Sequence, residues 1–331
     1  MACCLIISLY TRPRDWFIMA DALELTRLIK EKALNMGFSG IAIAKATFMD
    51  EEARRLEDWL NQGYHGTMAY MENHFDLRTD PNKLVPGAKS VISLMYNYYT
   101  PDLPKAMDDD GPKVSMYALG TDYHKVVRKK LKNLFQYIQQ LAGSVEGRVF
   151  VDSAPVMERD WARRSGLGWV GKNTLLISPS KGSWYFLGEI ILDLTLNYDL
   201  PIKDHCGTCK RCIEACPTQA ISPEGYLMDG SKCISYLTIE LKDEIPKEFA
   251  GKMDSWIFGC DVCQQVCPWN RFSTPHSEPS FNASPELLNM GPDDWNALQE
   301  ESFNKVFGHT PVKRTGLNGI QRNLRFIKEG R

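Results

Sequence analysis

The sequence contains no apolar run long enough to cross a membrane. The longest candidate, residues 184–194, is interrupted by Glu189 and Asp193, whereas a spanning helix needs about 20 predominantly apolar residues. The N-terminal residues lack a basic segment and a small-residue cleavage site, so no signal peptide is expected. Residues 11–14 contain no twin-arginine pair. The sequence therefore predicts a cytoplasmic protein without a membrane partner.

The sequence also lacks a large excess of charge of either sign. It holds 39 lysines and arginines against 41 aspartates and glutamates, a net charge of −2. A polyanion such as a nucleic acid would therefore have to meet a local basic patch rather than the field of the whole protein. With 331 residues, 44% of them hydrophobic and 24% charged, the chain has the composition of a soluble globular protein of about two domains.

Cysteine is scarce outside one segment. Cys3 and Cys4 have no partners at ligand spacing, and the other eight cysteines lie between residues 206 and 267. The run that starts at Cys206 has the C-x2-C-x2-C-x3-C-P spacing of bacterial [4Fe-4S] proteins, in which the fourth cysteine binds the other cluster. This crossing predicts two clusters, one held by Cys206, Cys209, Cys212 and Cys267 and the other by Cys216, Cys233, Cys260 and Cys263.

A zinc site or a disulfide framework accounts for these cysteines less well. A structural zinc site takes two separated pairs, so a third cysteine at this spacing would be superfluous. A disulfide framework needs an oxidising compartment and is usual in much shorter chains. Two adjacent one-electron centres indicate instead that the protein moves single electrons. The assignment of Cys233 rests least on spacing, because it stands well upstream of Cys260.

Apolar periodicity and turn residues predict a mixture of helices and strands, and hence an α+β protein. We expect an extension over residues 1–18, a first domain over 19–199, a two-cluster module over 200–270 and a helical, basic tail over 271–331. The tail carries Lys313, Arg314, Arg322, Arg325 and Lys328. The predicted helices are 21–36, 50–61, 123–141, 155–165 and 294–307, and the first of them has a capping-box start at Asp21. The predicted strands are 38–46, 90–98, 148–151, 174–177 and 184–194, and the last two are expected to pair. Residues 108–112 are predicted to be a surface loop.

A glycine-rich segment, residues 166–172, matches two nucleotide-binding patterns, G-x-G-x-x-G and G-x4-G-K. Both patterns need a strand before them and a helix after them. Here the predicted order is reversed, and Asn173 stands where a phosphate-binding loop needs serine or threonine. We therefore expect no nucleotide site. The glycines indicate only that some group approaches the backbone closely.

Three side chains and one basic helix outside the cysteine segment can serve either function or structure. Asp152 follows a predicted strand, where it is either an acid catalyst or a helix cap, and position alone favours the cap. His124 starts a helix, where it can be a surface residue, a proton donor or a metal ligand, and position alone favours the surface residue. Arg78 either binds an anion or caps a helix before Pro81. The basic residues of the same helix as His124 favour a solvated face over phosphate contacts; they are Lys125, Arg128, Lys129, Lys130 and Lys132.

Together these stretches resemble the epoxyqueuosine reductases, the cobalamin- and iron–sulfur-dependent enzymes of queuosine tRNA modification. The similarity extends from about residue 20 to about residue 325, in the order of the family, and is far more specific than any single motif. The matching stretches are residues 78–81, 117–124, 151–159, 166–173, the two cysteine runs and 233–240.

The resemblance implies a nitroreductase-like, cobalamin-binding domain next to a ferredoxin-like module with two [4Fe-4S] clusters. It implies reduction of epoxyqueuosine to queuosine at the tRNA wobble position, with Asp152 as the proton donor, kept protonated by burial. It also implies a reduced flavodoxin or ferredoxin as electron donor, and a monomer. The residues that it places at the corrin are Arg78, His124, Asp152, Lys172, Asn173 and Ser235.

One departure and two alternatives accompany this resemblance. Many relatives continue into helical repeats that grip tRNA, whereas this sequence stops at Arg331. We therefore expect the basic helix and the basic tail to contribute more of the tRNA contact. Another corrinoid iron–sulfur reductase, of the reductive dehalogenase type, is the first alternative, although such enzymes usually carry a twin-arginine signal. A non-catalytic electron carrier or corrin-trafficking protein is the second, and it would need no acid at Asp152.

Overall fold

The computed structural model describes residues 14–107 and 111–330. Its strands, in chain order, are Gly40–Lys45 (β1), Ser90–Asn97 (β2), Lys113–Val114 (β3), Gly147–Phe150 (β4), Trp169–Val170 (β5), Leu176–Ile177 (β6), Tyr185–Leu192 (β7) and Trp256–Phe258 (β8). Four of them form an antiparallel sheet in the order β1-β2-β7-β4. Two short ladders stand outside it, β5 with β6 and the parallel pair β3 with β8.

Twelve α-helices surround the sheet or follow it in the described part of the chain. They are Arg14–Asn35 (α1), Asp50–Asn61 (α2), Phe75–Thr79 (α3), Pro81–Leu84 (α4), Tyr123–Ala142 (α5), Glu158–Arg164 (α6), Arg211–Glu214 (α7), Val262–Gln265 (α8), Pro285–Asn289 (α9), Pro292–Asn296 (α10), Glu300–Phe307 (α11) and Gly316–Glu329 (α12). None of the helices within 14–107 and 111–330 has the length and apolarity that a membrane span requires.

Both faces of the sheet are buried, because its central strands are apolar on both sides. One face packs against α1 and α5 through residues such as Ile92, Ile190 and Leu131. The other face packs against α6, where Trp161 meets Ile191. The start of α5 meets the segment between β4 and α6 just after β4 ends, because Tyr123 and His124 contact Asp152 there, and this meeting point positions the candidate site.

Most predicted elements are confirmed, and four are wrong in detail. The first helix begins at Arg14 instead of Asp21, so the predicted extension overlaps α1. β6 pairs with β5 rather than with β7, because the apolar β7 is needed between β2 and β4 in the buried sheet. The single helix predicted over 294–307 is two helices, with an extended Gln299 between them. The helix predicted from 155 begins at Glu158. Residues 108–110, the first three of the predicted loop 108–112, lie outside the described residues.

The C-terminal helix α12 holds the segment that follows Cys233. This segment, Tyr236–Glu240, is a π-helical turn with carbonyl groups that its own short helix leaves unpaired. The buried guanidinium of Arg322 donates to the carbonyls of Leu237 (2.9 Å), Leu241 (2.6 Å) and Asp243 (2.7 Å). The basic tail is therefore not a free basic surface, since Arg322 serves the fold.

We predict that Asn323→Ala destabilises the protein strongly. Its fully buried amide donates to the carbonyls of Thr238 (2.9 Å) and Ile257 (2.8 Å). Two buried carbonyls would lose their partner, at about 1–2 kcal/mol each. The thermal midpoint of anaerobically purified protein should drop clearly, whereas Arg325→Ala, which removes an exposed ion pair with Glu244, should change it little. Equal midpoints for the two variants would contradict this role.

Candidate active site and cluster-binding segment

The eight cysteines of the segment lie in two groups of four. Cys212 lies within electrostatic reach of Cys206, Cys267 and Cys209, and burial together with these neighbours raises its pKa to about 11. In the second group, burial and then the neighbouring thiols raise the pKa of Cys263, the neighbours being Cys260, Cys233 and Cys216. The structure thus gathers the same two sets that the spacing predicts.

The donor chemistry of these two groups fits a cube better than a single ion. Among the described residues, no three His, Cys, Asp or Glu side chains are arranged to hold one metal ion. A [4Fe-4S] cube binds each of its four thiolates through a different iron, so the sulfurs stand further apart than around zinc. Half-buried thiolates with few other donors nearby are the ligands that such a cluster takes.

The glycine-rich segment clamps the cluster loops. The buried ammonium of Lys172 donates to the carbonyls of Gly207 (2.7 Å) and Cys209 (3.1 Å). The amide of Asn173 donates to the carbonyl of Cys263 (3.3 Å), and the indole of Trp169 donates to the sulfur of Cys206 (3.4 Å). One short segment therefore contacts loops of both groups.

The glycines of this segment are required by its own backbone. A Cβ on Gly166, which has φ +87°, would lie 2.2 Å from the carbonyl oxygen of Leu200. A Cβ on Gly168 would lie 2.3 Å from that of Ile177. The close approach that the sequence indicated is thus made by the chain itself, and α6 precedes the segment, as expected, so it is not a nucleotide-binding turn.

A chain of hydrogen bonds joins the starts of α5 and α6. Asp122 caps α5 by accepting the backbone N–H of His124 (3.0 Å) and also contacts the Nδ1 of that ring (2.7 Å). The Nε2 of His124 lies 3.1 Å from Oδ2 of Asp152. The hydroxyl of Tyr123 donates to the same oxygen (2.9 Å). Asp152 caps no helix, because α6 begins six residues later with Met157 at its N-cap position.

The charges along this chain of hydrogen bonds place a proton on His124. Partial burial alone lowers the pKa of His124, but the contacts with Asp122 and Asp152 outweigh burial and raise it to about 9. Burial alone raises the pKa of Asp152, but its hydrogen bonds with His124 and Tyr123 hold it below the ordinary value. The expectation that burial keeps Asp152 protonated is therefore wrong, and the side chain is 46% exposed. The dissociable proton belongs to the pair and rests on the imidazole.

The open side of this pair is bordered by residues that the sequence did not assign to it. Arg314 forms an ion pair with Glu240 (2.9 Å). Burial raises the pKa of Tyr117, Asp152 and Glu240 raise it further, and Arg314 opposes them, so all three charges lie within electrostatic reach of Tyr117. The ring centroid of Tyr117 lies 6.1 Å from those of Tyr123 and Phe258, and Phe258 precedes Cys260 closely in the chain. These residues connect the acid pair with the second cysteine group, across a sequence distance that no local pattern reveals.

Two further residues of the expected site lie on different elements. The guanidinium of Arg78, in α3, donates to the carbonyl of Tyr70 (2.7 Å), which favours a local structural role for this arginine. Ser235 lies just before the π-helical turn; burial raises the pKa of Cys233, and hydrogen bonds from the backbone and side chain of Ser235 oppose this shift. Burial raises the pKa of Tyr70, and Glu240 and Asp152 raise it further, so the carbonyl that Arg78 contacts belongs to a residue within electrostatic reach of the acid pair.

Comparison with known proteins agrees with this arrangement. The family model described as epoxyqueuosine reductase QueG, DUF1730 matches residues 78–153, and the one described as 4Fe-4S double cluster binding domain matches residues 205–270. A curated protein of Cellulophaga algicola named epoxyqueuosine reductase is 56% identical over 302 residues, which are 91% of this chain and 97% of that protein.

Two solved structures share the fold over nearly the same span. The structure of epoxyqueuosine reductase from Streptococcus thermophilus has a TM-score of 0.84 at 30% identity, covering 93% of this chain and 82% of that one. A crystal structure of epoxyqueuosine reductase with an epoxyqueuosine-modified tRNA-Tyr stem loop has a TM-score of 0.80 at 31% identity, covering 91% and 80%. The α+β fold with a double-cluster segment is thereby confirmed.

We predict that anaerobically purified protein holds about eight irons per chain, from two four-iron cubes. Cys209→Ala should lose roughly half of this iron, because one of the two ligand sets is broken. Metal analysis and electron paramagnetic resonance of the reduced protein measure both values. Replacement of Cys3 and Cys4, which lie outside the described residues, is the matched control and should leave the iron unchanged. Stoichiometric zinc without iron after anaerobic reconstitution would contradict the assignment.

Proposed function

Because this chain belongs to the epoxyqueuosine reductase family, we propose that it reduces epoxyqueuosine in tRNA to queuosine. The single observation that carries the proposal is the hydrogen-bonded pair of His124 and Asp152, which holds a proton and keeps the Asp152 side chain 46% exposed. An electron carrier has no use for such a pair. A reductase needs an acid where its electrons arrive.

The reaction defines what the site has to supply. Removal of the epoxide oxygen breaks two carbon–oxygen bonds, forms one carbon–carbon double bond and releases water. It therefore consumes two electrons and two protons for each substrate. The two clusters are reduced by a flavodoxin or ferredoxin and deliver the electrons one at a time. The acid pair delivers a proton to the departing oxygen.

His124 would not serve as the ligand of a corrin held beside the acid pair. Both ring nitrogens of His124 are bonded to aspartates, so this imidazole is not free to bind cobalt. Cobalamin, when bound, supplies the low-valent cobalt that makes the epoxide reducible. Arg78, Asn173 and Ser235 are the residues that we propose to border it.

Each protein residue then has a distinct task. Asp152 orients the imidazolium of His124 and presents the proton, while Asp122 fixes the ring from its other nitrogen. Tyr123 stacks on His124, with ring centroids 4.2 Å apart, and holds the same carboxylate. Lys172, whose ammonium is turned to the first cluster loop, is proposed to hold that loop rather than to touch the corrin.

A basic groove beside the Asp152 loop is the proposed tRNA contact. It has a volume of about 390 Å³ and runs between α5, β4 and residues 153–155. Its cations are Arg128, Lys132 and Arg148, all near the residue that has to reach the wobble base. Phosphate oxygens of an anticodon arm are the groups that clustered lysines and arginines bind. In the tail, by contrast, Arg314 and Arg325 are already paired with glutamates.

We predict that Asp152→Asn keeps its iron and fold but loses epoxide reduction by about 10²–10⁴-fold. The change is nearly isosteric, yet the amide cannot stabilise the imidazolium or carry the proton. Single-turnover assays on an epoxyqueuosine-modified stem-loop measure the loss. Asp58→Asn is the matched control, because it makes the same replacement at an exposed position of α2, and it should react at nearly the wild-type rate. A fast Asp152→Asn enzyme would place the acid elsewhere.

We also predict that Arg128→Ala combined with Lys132→Ala raises the KM for the stem-loop and leaves kcat nearly unchanged. Both cations lie outside the acid pair, so they contribute binding rather than chemistry. The dependence of log Kd on log salt should become shallower by roughly one unit per lost phosphate contact. Lys252→Ala combined with Lys305→Ala removes two exposed lysines away from the groove and should change neither value. If both double variants behave alike, the groove is not the contact.

A further inference from the structure

A buried carboxyl group lies behind the acid pair. Glu189, in the middle of β7, is fully buried and stands opposite Ser93 of β2 and Phe150 of β4. Neither carboxyl oxygen of Glu189 has a well-placed hydrogen-bonding partner among the described residues, and the hydroxyl of Ser93 also has none. An ionised carboxylate without a partner is strongly disfavoured in such a place. The group is therefore held as the neutral acid.

Glu158 connects this buried acid with the site. It begins α6, and its Oε1 accepts the backbone N–H of Asp152 at 2.5 Å. Its carboxyl group also interacts with that of Glu189. Three carboxyl groups thus follow one another, from the interior of the sheet to the open side: Glu189, Glu158 and Asp152.

The charges around these groups favour a retained proton. Burial first, and then the charge of Asp152, raise the pKa of Glu158 to about 8, and Arg159 is the cation that opposes this shift. Burial, followed by Glu158 and Asp152, raises the pKa of Glu189. The other cations of α6, Arg163 and Arg164, are paired with Glu52 of α2 and do not neutralise the pair. The two glutamates therefore keep at least one proton between them at neutral pH.

The stoichiometry of the proposed reaction leaves one proton unassigned. The pair of His124 and Asp152 carries a single dissociable proton, whereas opening and removing the epoxide oxygen takes two. A second donor has to stand within reach of Asp152, because that carboxylate is the more exposed group of the pair. Glu158 is the acid that contacts the Asp152 loop directly.

Building on the proposed function, we propose that Glu158 and Glu189 share a stored proton and pass it to Asp152, which supplies the second proton of each turnover. The O–H bond of Glu158 breaks as an O–H bond forms on the Asp152 carboxylate. Glu189 then transfers its proton to Glu158, and solvent at the partly exposed Glu158 refills the pair. No electrons move in these steps. Glu189 and Glu158 act through Asp152, so they are proton-supply residues and not groups that touch the substrate.

The test uses Glu158→Gln and Glu189→Gln in the iron-loaded full chain. Both changes keep size and hydrogen bonding but remove the transferable proton. We expect kcat on the modified stem-loop to fall about tenfold or more, within the range of a lost proton-transfer group, with KM unchanged and the deficit growing as pH rises. Glu278→Gln is the control and should retain wild-type kcat, because it alters a half-buried carboxylate that accepts hydrogen bonds from Tyr96 and Ser280 and is not one of the three carboxyl groups of the proposed chain.

A second readout does not depend on activity. The infrared spectrum of wild-type protein at pH 7 should contain the carbonyl band of a protonated buried carboxylic acid, shifted in D2O and absent in Glu189→Gln. The glutamate pair should also make the free energy of unfolding depend on pH. Because folding raises the pKa of Glu158 from 4.5 to about 8, the protonated group stabilises the fold fully below pH 4.5, and this stabilisation is lost as pH rises toward 8. This loss should be smaller in Glu189→Gln.

The outcomes separate this inference from the proposed function. If wild-type protein turns over the stem-loop and both glutamine variants match its kcat at every pH, the proton supply is overturned while the reductase activity stands. Absence of the carboxylic acid band overturns it as well. If wild-type protein shows the band but no turnover, the proposed function fails and the supply role fails with it.

Discussion

The carboxylate of Asp261 is the contact on which the arrangement of the site depends. It stands between two cysteines of the second group, is buried, and accepts hydrogen bonds from the hydroxyl of Ser115 and from the backbone N–H of Met116 (2.7 Å). The cluster loops contain only single-turn helices, so they cannot hold their own shape. This carboxylate fastens the loops to the segment that leads into Tyr117 and α5. It thereby sets the distance between the second cysteine group, where the electrons arrive, and His124.

Two more supports act on the same loops from different sides. The glycine-rich segment contacts them through Lys172 and Asn173, and α12 holds the π-helical turn through Arg322 and Asn323. Backbone carbonyls accept nearly all of these bonds. Polar side chains that serve loop carbonyls are the expected means of ordering a segment without regular structure.

The sequence predicted the parts that depend on local spacing. The cysteine groups follow from a short repeat, α2 was placed over its actual residues, and Asp152 was identified where β4 ends. The partner of β6 was predicted wrongly because the turn between β6 and β7 has apolar residues on both sides, and this pattern is the same whether or not the two strands pair with each other. The position of the proton was missed because it depends on contacts between residues 28 positions apart. Glu189 had left a signal, as a charge within an otherwise apolar strand.

The position of α12 in the chain has a consequence for how the protein is made. The turn that follows Cys233 gains partners for its carbonyls only from a helix that is synthesised much later. A nascent chain that has just exposed its cysteines therefore presents loops without their support. Iron delivered at that stage meets thiols that are not yet held in place, so stable loading should follow translation of the C-terminal helix rather than accompany the emergence of the cysteines.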